Sequence, residues 1–212
     1  MGTYYTWINA TKRQLLENVF DNGYKLLESC GYDSPETNAL LTLLATDWYG
    51  DFVAFVPDEG SCCKISDIEQ GRWQQLRNLT GEFPLDYAED WFDDIAGLFK
   101  CAEGKSGWVS TPKGPEGDYV EQGYSGPFNR DIIQYRYIVN ESTHEWYDRL
   151  RNEEIMPGFD PFPVLMALCE DYLVAGDQPV EKCGIWMGDV IRPSHEPPGE
   201  GYTDITGYYR IY

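Results

Sequence analysis

Two aspartates in matched settings are the first residues in this chain whose types and spacing could do chemistry. Asp51 closes "WYGD" (48–51) and Asp189 closes "WMGD" (186–189). Each follows a glycine, which lets backbones approach closely. If the two segments pack about a pseudo-twofold axis, the carboxylates meet and could hold a divalent cation, as hard oxygen ligands do. The chemistry served would be that of a metal-dependent hydrolase, with His144 or His195 nearby; no other cofactor is implied. The competing role is structural. An aspartate after glycine at a strand start accepts backbone N–H groups in a turn, and a tryptophan there belongs to a core.

A second group of residues points to binding. In "DYAEDWFDDIAGLF" (86–99), Ala88, Phe92, Ile95 and Phe99 fall on one side at helical spacing, while Asp86, Glu89, Asp90, Asp93 and Asp94 crowd the other. This is the densest acidic window in a chain of 36 acidic and 16 basic residues, with a formal net charge of −20. The excess is spread evenly: residues 1–100 carry 17 acidic and 7 basic side chains, residues 101–212 carry 19 and 9. A surface of one sign disfavours direct contact with nucleic acid or anionic membrane and favours basic partners or cations. Solubility alone is the bland use of such charge.

Motifs for catalysis fail on spacing. "EGKSG" holds the Gly-Lys-Ser of a phosphate-binding loop, but the required first glycine falls at Phe99. "GYSGP" misplaces its serine for a nucleophile elbow. No dinucleotide fingerprint, His-Glu-x-x-His, EF-hand loop or Cys-x-x-Cys is present, and the adjacent Cys62 and Cys63 suit neither a zinc knuckle nor easy bridging. The segment "MGTYYTWINATKRQLLENVF" lacks a basic region followed by an apolar run. The expectation is therefore a cytoplasmic protein whose six cysteines are mostly buried and reduced, and whose Asn-x-Ser/Thr triplets serve turns. No apolar stretch reaches membrane-spanning length.

The elements that must position these residues are legible in part. "YYTWIN", the polar "ATKR" and "QLL" read as strand, turn and returning strand, and "NGYKLLES" as a short helix. In "DSPETNALLTLLAT", Ser34 suits the cap, Pro35 the first helical position, and Leu40, Leu41, Leu43 and Leu44 the apolar face. "WYGDFVAFVP" reads as an apolar strand, residues 104–127 as a long irregular connection, and "DIIQYRYIVN" with "EWYDR" as two more strands around the polar "ESTH". "WINATKRQLL" (7–16) aligns without a gap to "IVNESTHEWY" (138–147), pairing Asn9 with Asn140, Thr11 with Ser142 and Gln14 with Glu145; Trp48, Gly50 and Asp51 then pair with Trp186, Gly188 and Asp189. Internal duplication explains this order. The alternative is that strand-turn-strand units share a composition.

These blocks, "YYTWINATKRQLL", "ALLTLLATDWYGDFV", "YRYIVNESTHEWYD" and "CGIWMGDVI", resemble a family of uncharacterised bacterial and phage proteins, over roughly residues 4–60 and 131–206. The resemblance carries no activity. A Gly-rich stretch often precedes the second Trp block in that family, whereas "EDYLVAGDQPVEKCGIW" stands there in this chain, so a function tied to that loop does not transfer.

The reading that follows is a single α+β domain over 1–212, a mainly antiparallel sheet from two related halves (about 4–60 and 131–195) with a few flanking helices, joined by a helical and loop-rich middle at 61–130. The function expected is that of an acidic, non-catalytic inhibitor occupying a basic site on a partner protein, as toxin-neutralising or nucleic-acid-mimicking proteins do. A metal-dependent hydrolase and a structural domain without an active site stand as alternatives, and the oligomeric state is open.

Overall fold

A computed structural model describes residues 4–16, 25–26, 28–31, 35–57, 71, 74–76, 78–79, 93–94, 108–109, 122–123, 135–168, 174–175, 178–179 and 183–208. Its framework is two four-stranded sheets. In the first, β1 (Tyr5–Asn9) lies between β2 (Gln14–Leu16) and β3 (Val53–Pro57), antiparallel to both, and β4 (Asp93–Asp94) runs parallel on the far side of β2. Two short ribbons, β5 (Trp108–Val109) with β6 (Gln122–Gly123) and β9 (Val174–Ala175) with β10 (Gln178–Pro179), are antiparallel. In the second sheet, β7 (Tyr137–Asn140) lies between β8 (Glu145–Asp148) and β11 (Ile191–Ser194), antiparallel to both, with β12 (Thr203–Asp204) parallel to β8. Strand order and sense are thus the same in both sheets. The expected α+β class, mostly antiparallel with few short helices, is what the chain adopts.

Alternation along the strands divides the first sheet between two cores. Trp7, Val53 and Phe55 face one, with Trp7 stacked on Phe55 at 4.2 Å between ring centroids. Ile8, Ala54 and Val56 point the other way, into a smaller cluster with Phe52, Leu168 and Met187. The larger core also takes Ile138, Tyr147 and Ile191 from the second sheet. Both sheets therefore bury apolar side chains in one continuous interior.

The helix α1 (Pro35–Leu44) forms where the leucine spacing predicts it, and it packs against β11 of the second sheet. Helix α2 (Arg149–Ile155) starts at Asp148, whose carboxylate accepts from the amides of Leu150 and Arg151 and also from the guanidinium of Arg136. Helix α3 (Phe162–Met166) packs against β3 of the first sheet. Beyond α3, Ala167 forms a parallel bridge to Phe55 and the Leu168 amide donates to the Phe55 carbonyl, which covers the outer edge of β3. The helix preceding each Trp-x-Gly-Asp block thus crosses onto the other sheet.

Three local expectations are corrected. Residues 48–51 are turn, and the strand begins at Val53, because Gly50 takes a φ of 78° that a strand does not accommodate. The helix expected over 86–99 is not present at Asp93–Asp94, which are extended and pair with Gln14 and Leu15; a free strand edge supplied backbone partners that outweigh helical periodicity. Of "NGYKLLES", Glu28 and Ser29 enter a single 3-10 turn, Glu28–Cys30, and not a longer helix among the described residues.

Candidate functional site

The two Asn-x-hydroxyl turns are built by closely matched bonds. At the end of β1 the Asn9 carboxamide is fully buried; its Oδ1 accepts from the Lys12 amide at 2.9 Å and its Nδ2 donates to Asp51 Oδ2 at 2.8 Å. At the end of β7 Asn140 is equally buried; its Oδ1 accepts from the Ser142 and Thr143 amides at 2.9 and 3.0 Å and its Nδ2 donates to Asp189 Oδ2 at 2.8 Å. The hydroxyls pair likewise: Thr11 Oγ1 accepts from the Phe52 amide at 2.9 Å, Ser142 Oγ from the Val190 amide at 3.0 Å. Each buried indole donates at 2.8 Å to the first residue of the returning strand, Trp48 to Gln14 and Trp186 to Glu145. Arg13 and His144, one residue before those acceptors, both take left-handed φ, 55° and 56°. The Asn, hydroxyl, Trp, Asp and Gln14–Glu145 pairings drawn from the sequence alignment are therefore matched in bonds, and Gly50 and Gly188 in φ, 78° and 76°.

Asp51 and Asp189 brace their own turns. Asp51 also receives the Lys12 ammonium at 3.0 Å, and Lys12 bonds the Asp47 carbonyl as well. Among the described residues, no group of three or more His, Cys, Asp or Glu is placed to hold a metal ion. His144 packs on Tyr202 with centroids 5.0 Å apart, and His195 on Tyr135 at 5.1 Å. Of the acidic set, Asp86, Glu89 and Asp90 lie outside the described residues, and Asp93 and Asp94 lie in β4. The expectation of reduced thiols is corrected at Cys183, which is disulfide-bonded; Cys30 is free and buried.

Two groupings were not read from the sequence. The first is a buried ionic network: Arg149 Nε donates to Asp160 Oδ2 at 2.7 Å, with both side chains at 0% exposure. Asp160 Oδ1 accepts from the Tyr147 hydroxyl at 2.6 Å and the Phe162 amide at 3.1 Å, and the Asp160 amide donates to the Cys30 carbonyl at 2.6 Å. Burial first, then the Asp160 charge, push the Cys30 thiol well above its ordinary range, so it stays protonated and a poor nucleophile. Sealed from solvent, this network positions elements and has no access for a substrate. A charged residue in an aromatic strand, as in "EWYDR", is the only hint of it in the sequence.

The second lies at the surface, on the tip between β7 and β8. Tyr49, 49% exposed, donates its hydroxyl to Glu141 Oε2 at 2.6 Å, and Arg192 Nε donates to Glu141 Oε1 at 2.6 Å. Burial opposes ionisation of Glu141, but the bonds from Tyr49 and Arg192 and the Arg192 charge outweigh it and hold the carboxyl below its usual range. The bond to Glu141 foremost, then burial and the Glu141 charge, hold the Tyr49 phenol above its usual range, with Tyr202 adding and Arg192 opposing. The arrangement can present a fixed aromatic ring beside a paired carboxylate. It offers no nucleophile.

No protein-family model, curated protein or solved structure matches this chain.

Proposed function

We propose that this chain is an acidic, non-catalytic binding protein that occupies a basic site on a partner protein, in the manner of toxin-neutralising or nucleic-acid-mimicking inhibitors. One observation carries the reading: the cations among the described residues are nearly all paired with carboxylates of the chain itself. Among the described residues Lys12, Lys25, Arg136, Arg149, Arg151 and Arg192 each pair with an Asp or Glu, and Arg13 is the remaining Lys or Arg. Asp47, Glu154, Glu196 and Glu200 face solvent. With a net charge of −20, the outward field is set by carboxylates, and such a field speeds encounter with basic surfaces and repels nucleic acid. The matched bonds of the two turns support a second part of the reading, descent of both sheets from one duplicated unit. Kinship with the uncharacterised bacterial and phage proteins rests on the shared blocks.

Affinity capture from a cell extract, with the full chain immobilised, tests the function. At about 50 mM salt a basic protein is expected on the matrix, and at about 500 mM, where charges are screened beyond about 4–5 Å, most of it is expected to elute. Capture of no basic protein, or capture indifferent to salt, overturns the proposal.

A further inference from the structure

We propose that Tyr49, Glu141 and Arg192, flanked by Tyr202 and His144, form the surface on which a lysine- or arginine-bearing segment of the basic partner docks. The inference rests on the reading of the protein as an acidic binder, and it places contact at a site not singled out by the charge pattern of the sequence. Four observations support it.

Tyr49 holds an aromatic ring in solvent where the matched residue of the second block, Met187, is completely buried. The exposure is therefore not a requirement of the Trp-x-Gly-Asp turn. Next, the ring does not move freely: its hydroxyl is held by Glu141, and Glu141 in turn by Arg192, both at 2.6 Å. A rigid tyrosine loses little entropy on binding, which is why such residues anchor interfaces. Third, donation of the phenol proton toward a carboxylate enriches the ring in electron density, and an electron-rich face attracts ammonium and guanidinium groups. Last, the neighbourhood carries a small excess of negative charge. Glu141 and Glu145 stand against Arg192, with Glu145 accepting from the Trp186 indole at 2.8 Å and from the Thr143 hydroxyl at 3.0 Å. Tyr202 packs on His144, and the Thr203 amide donates to the His144 carbonyl, so the flank of the platform is fixed to the tip. The charge of the whole molecule concentrates cations at this surface; the fixed ring gives them a place to settle.

The test uses the full chain and an oligo-arginine peptide as probe, titrated at low salt. Tyr49→Ala is expected to weaken binding about three- to fivefold, the loss of one exposed cation–π contact, while Tyr49→Phe, which keeps the ring but loses the bond to Glu141, is expected to fall between Tyr49→Ala and the parent. Glu141→Gln is expected to cost more than Glu154→Gln, which removes an equal charge from α2. A variant-free readout accompanies these: bound peptide is expected to protect Tyr49 from nitration. Salt-sensitive binding of the parent with Tyr49→Ala unaffected, or with Tyr49 nitrated as fast in the presence of peptide, overturns the docking surface and leaves the acidic-binder reading standing. Absence of any binding by the parent at low salt overturns both.

Discussion

At the scale of single residues, the two Trp-x-Gly-Asp glycines separate conformation from space. Gly50 and Gly188 have nearly the same φ, 78° and 76°. A Cβ on Gly50 meets nothing within 4 Å, whereas one on Gly188 lands 2.3 Å from Cε2 of Phe52, a ring that is only 4% exposed. Gly50→Ala carries only the cost of a left-handed non-glycine residue, about 1–2 kcal/mol. Gly188→Ala adds the displacement of a packed ring, a further 1–3 kcal/mol, roughly. Urea unfolding of the two variants checks this. Equal losses would mean that backbone strain alone explains both glycines.

Among elements, β12 is held partly by charge. The Thr203 amide donates to the His144 carbonyl just before β8 and the amide of Ile205, just past β12, to the Trp146 carbonyl, both at 2.8 Å, but both residues of β12 are exposed. Asp204 ties it down, accepting from Arg151 Nη2 at 2.5 Å and from the Thr206 amide at 2.9 Å. Burial raises the Asp204 pKa, yet the Thr206 and Arg151 bonds and the Arg151 charge lower it by more, so the net position is below the ordinary 3.8. A carboxyl depressed in the folded state stabilises fully above its unfolded pKa and loses that contribution as pH falls through the folded value. Glu141, depressed from 4.5, adds to the same acid limb. Protection of the Thr203 and Ile205 amides in hydrogen exchange is therefore expected to hold from about pH 7 to about pH 5 and to fall below about pH 4. In Asp204→Asn the protection is expected to be lower at neutral pH and less steep on the acid side, where Glu141 still acts; a variant with the parental pH profile would assign the acid limb elsewhere.

Across the whole molecule, the buried Arg149–Asp160 pair joins the second sheet to the first half of the chain, since the Asp160 amide also holds the Cys30 carbonyl. Taking two charges out of water costs several kcal/mol for each, a cost their attraction offsets only when both are present. Asp160→Asn leaves Arg149 buried without a counter-charge and is expected to cost about 3–5 kcal/mol, whereas Arg149→Met with Asp160→Leu is expected to recover much of that loss. Calorimetric melting of the parent, the single variant and the double variant measures it. A single variant as stable as the parent would show that the pair does not join the halves. The crossing of α1 onto β11 and of α3 onto β3 carries the same meaning, because each of these helices packs on the sheet of the other half.

How much of this was legible follows from the range of each interaction. Asn140 reaches the amides two and three residues on, and Pro35 with four leucines lays out one helix, so turn and helix could be read from spacing. The pairing of Gln14 with Glu145 was legible too, because both returning strands start at the same distance from their asparagines. Residues 48–51 and Asp93–Asp94 were misread for one reason: apolar runs and helical periods describe a segment alone, whereas a neighbouring strand edge and a left-handed glycine decide its shape. Nor could spacing show that Tyr49 would meet Glu141, 92 residues away, or that Arg149 would be buried, since charged side chains belong at the surface unless a partner arrives. Bonds closed within a turn are written into the order of the residues; those between distant residues exist only once packing has brought them together and excluded water.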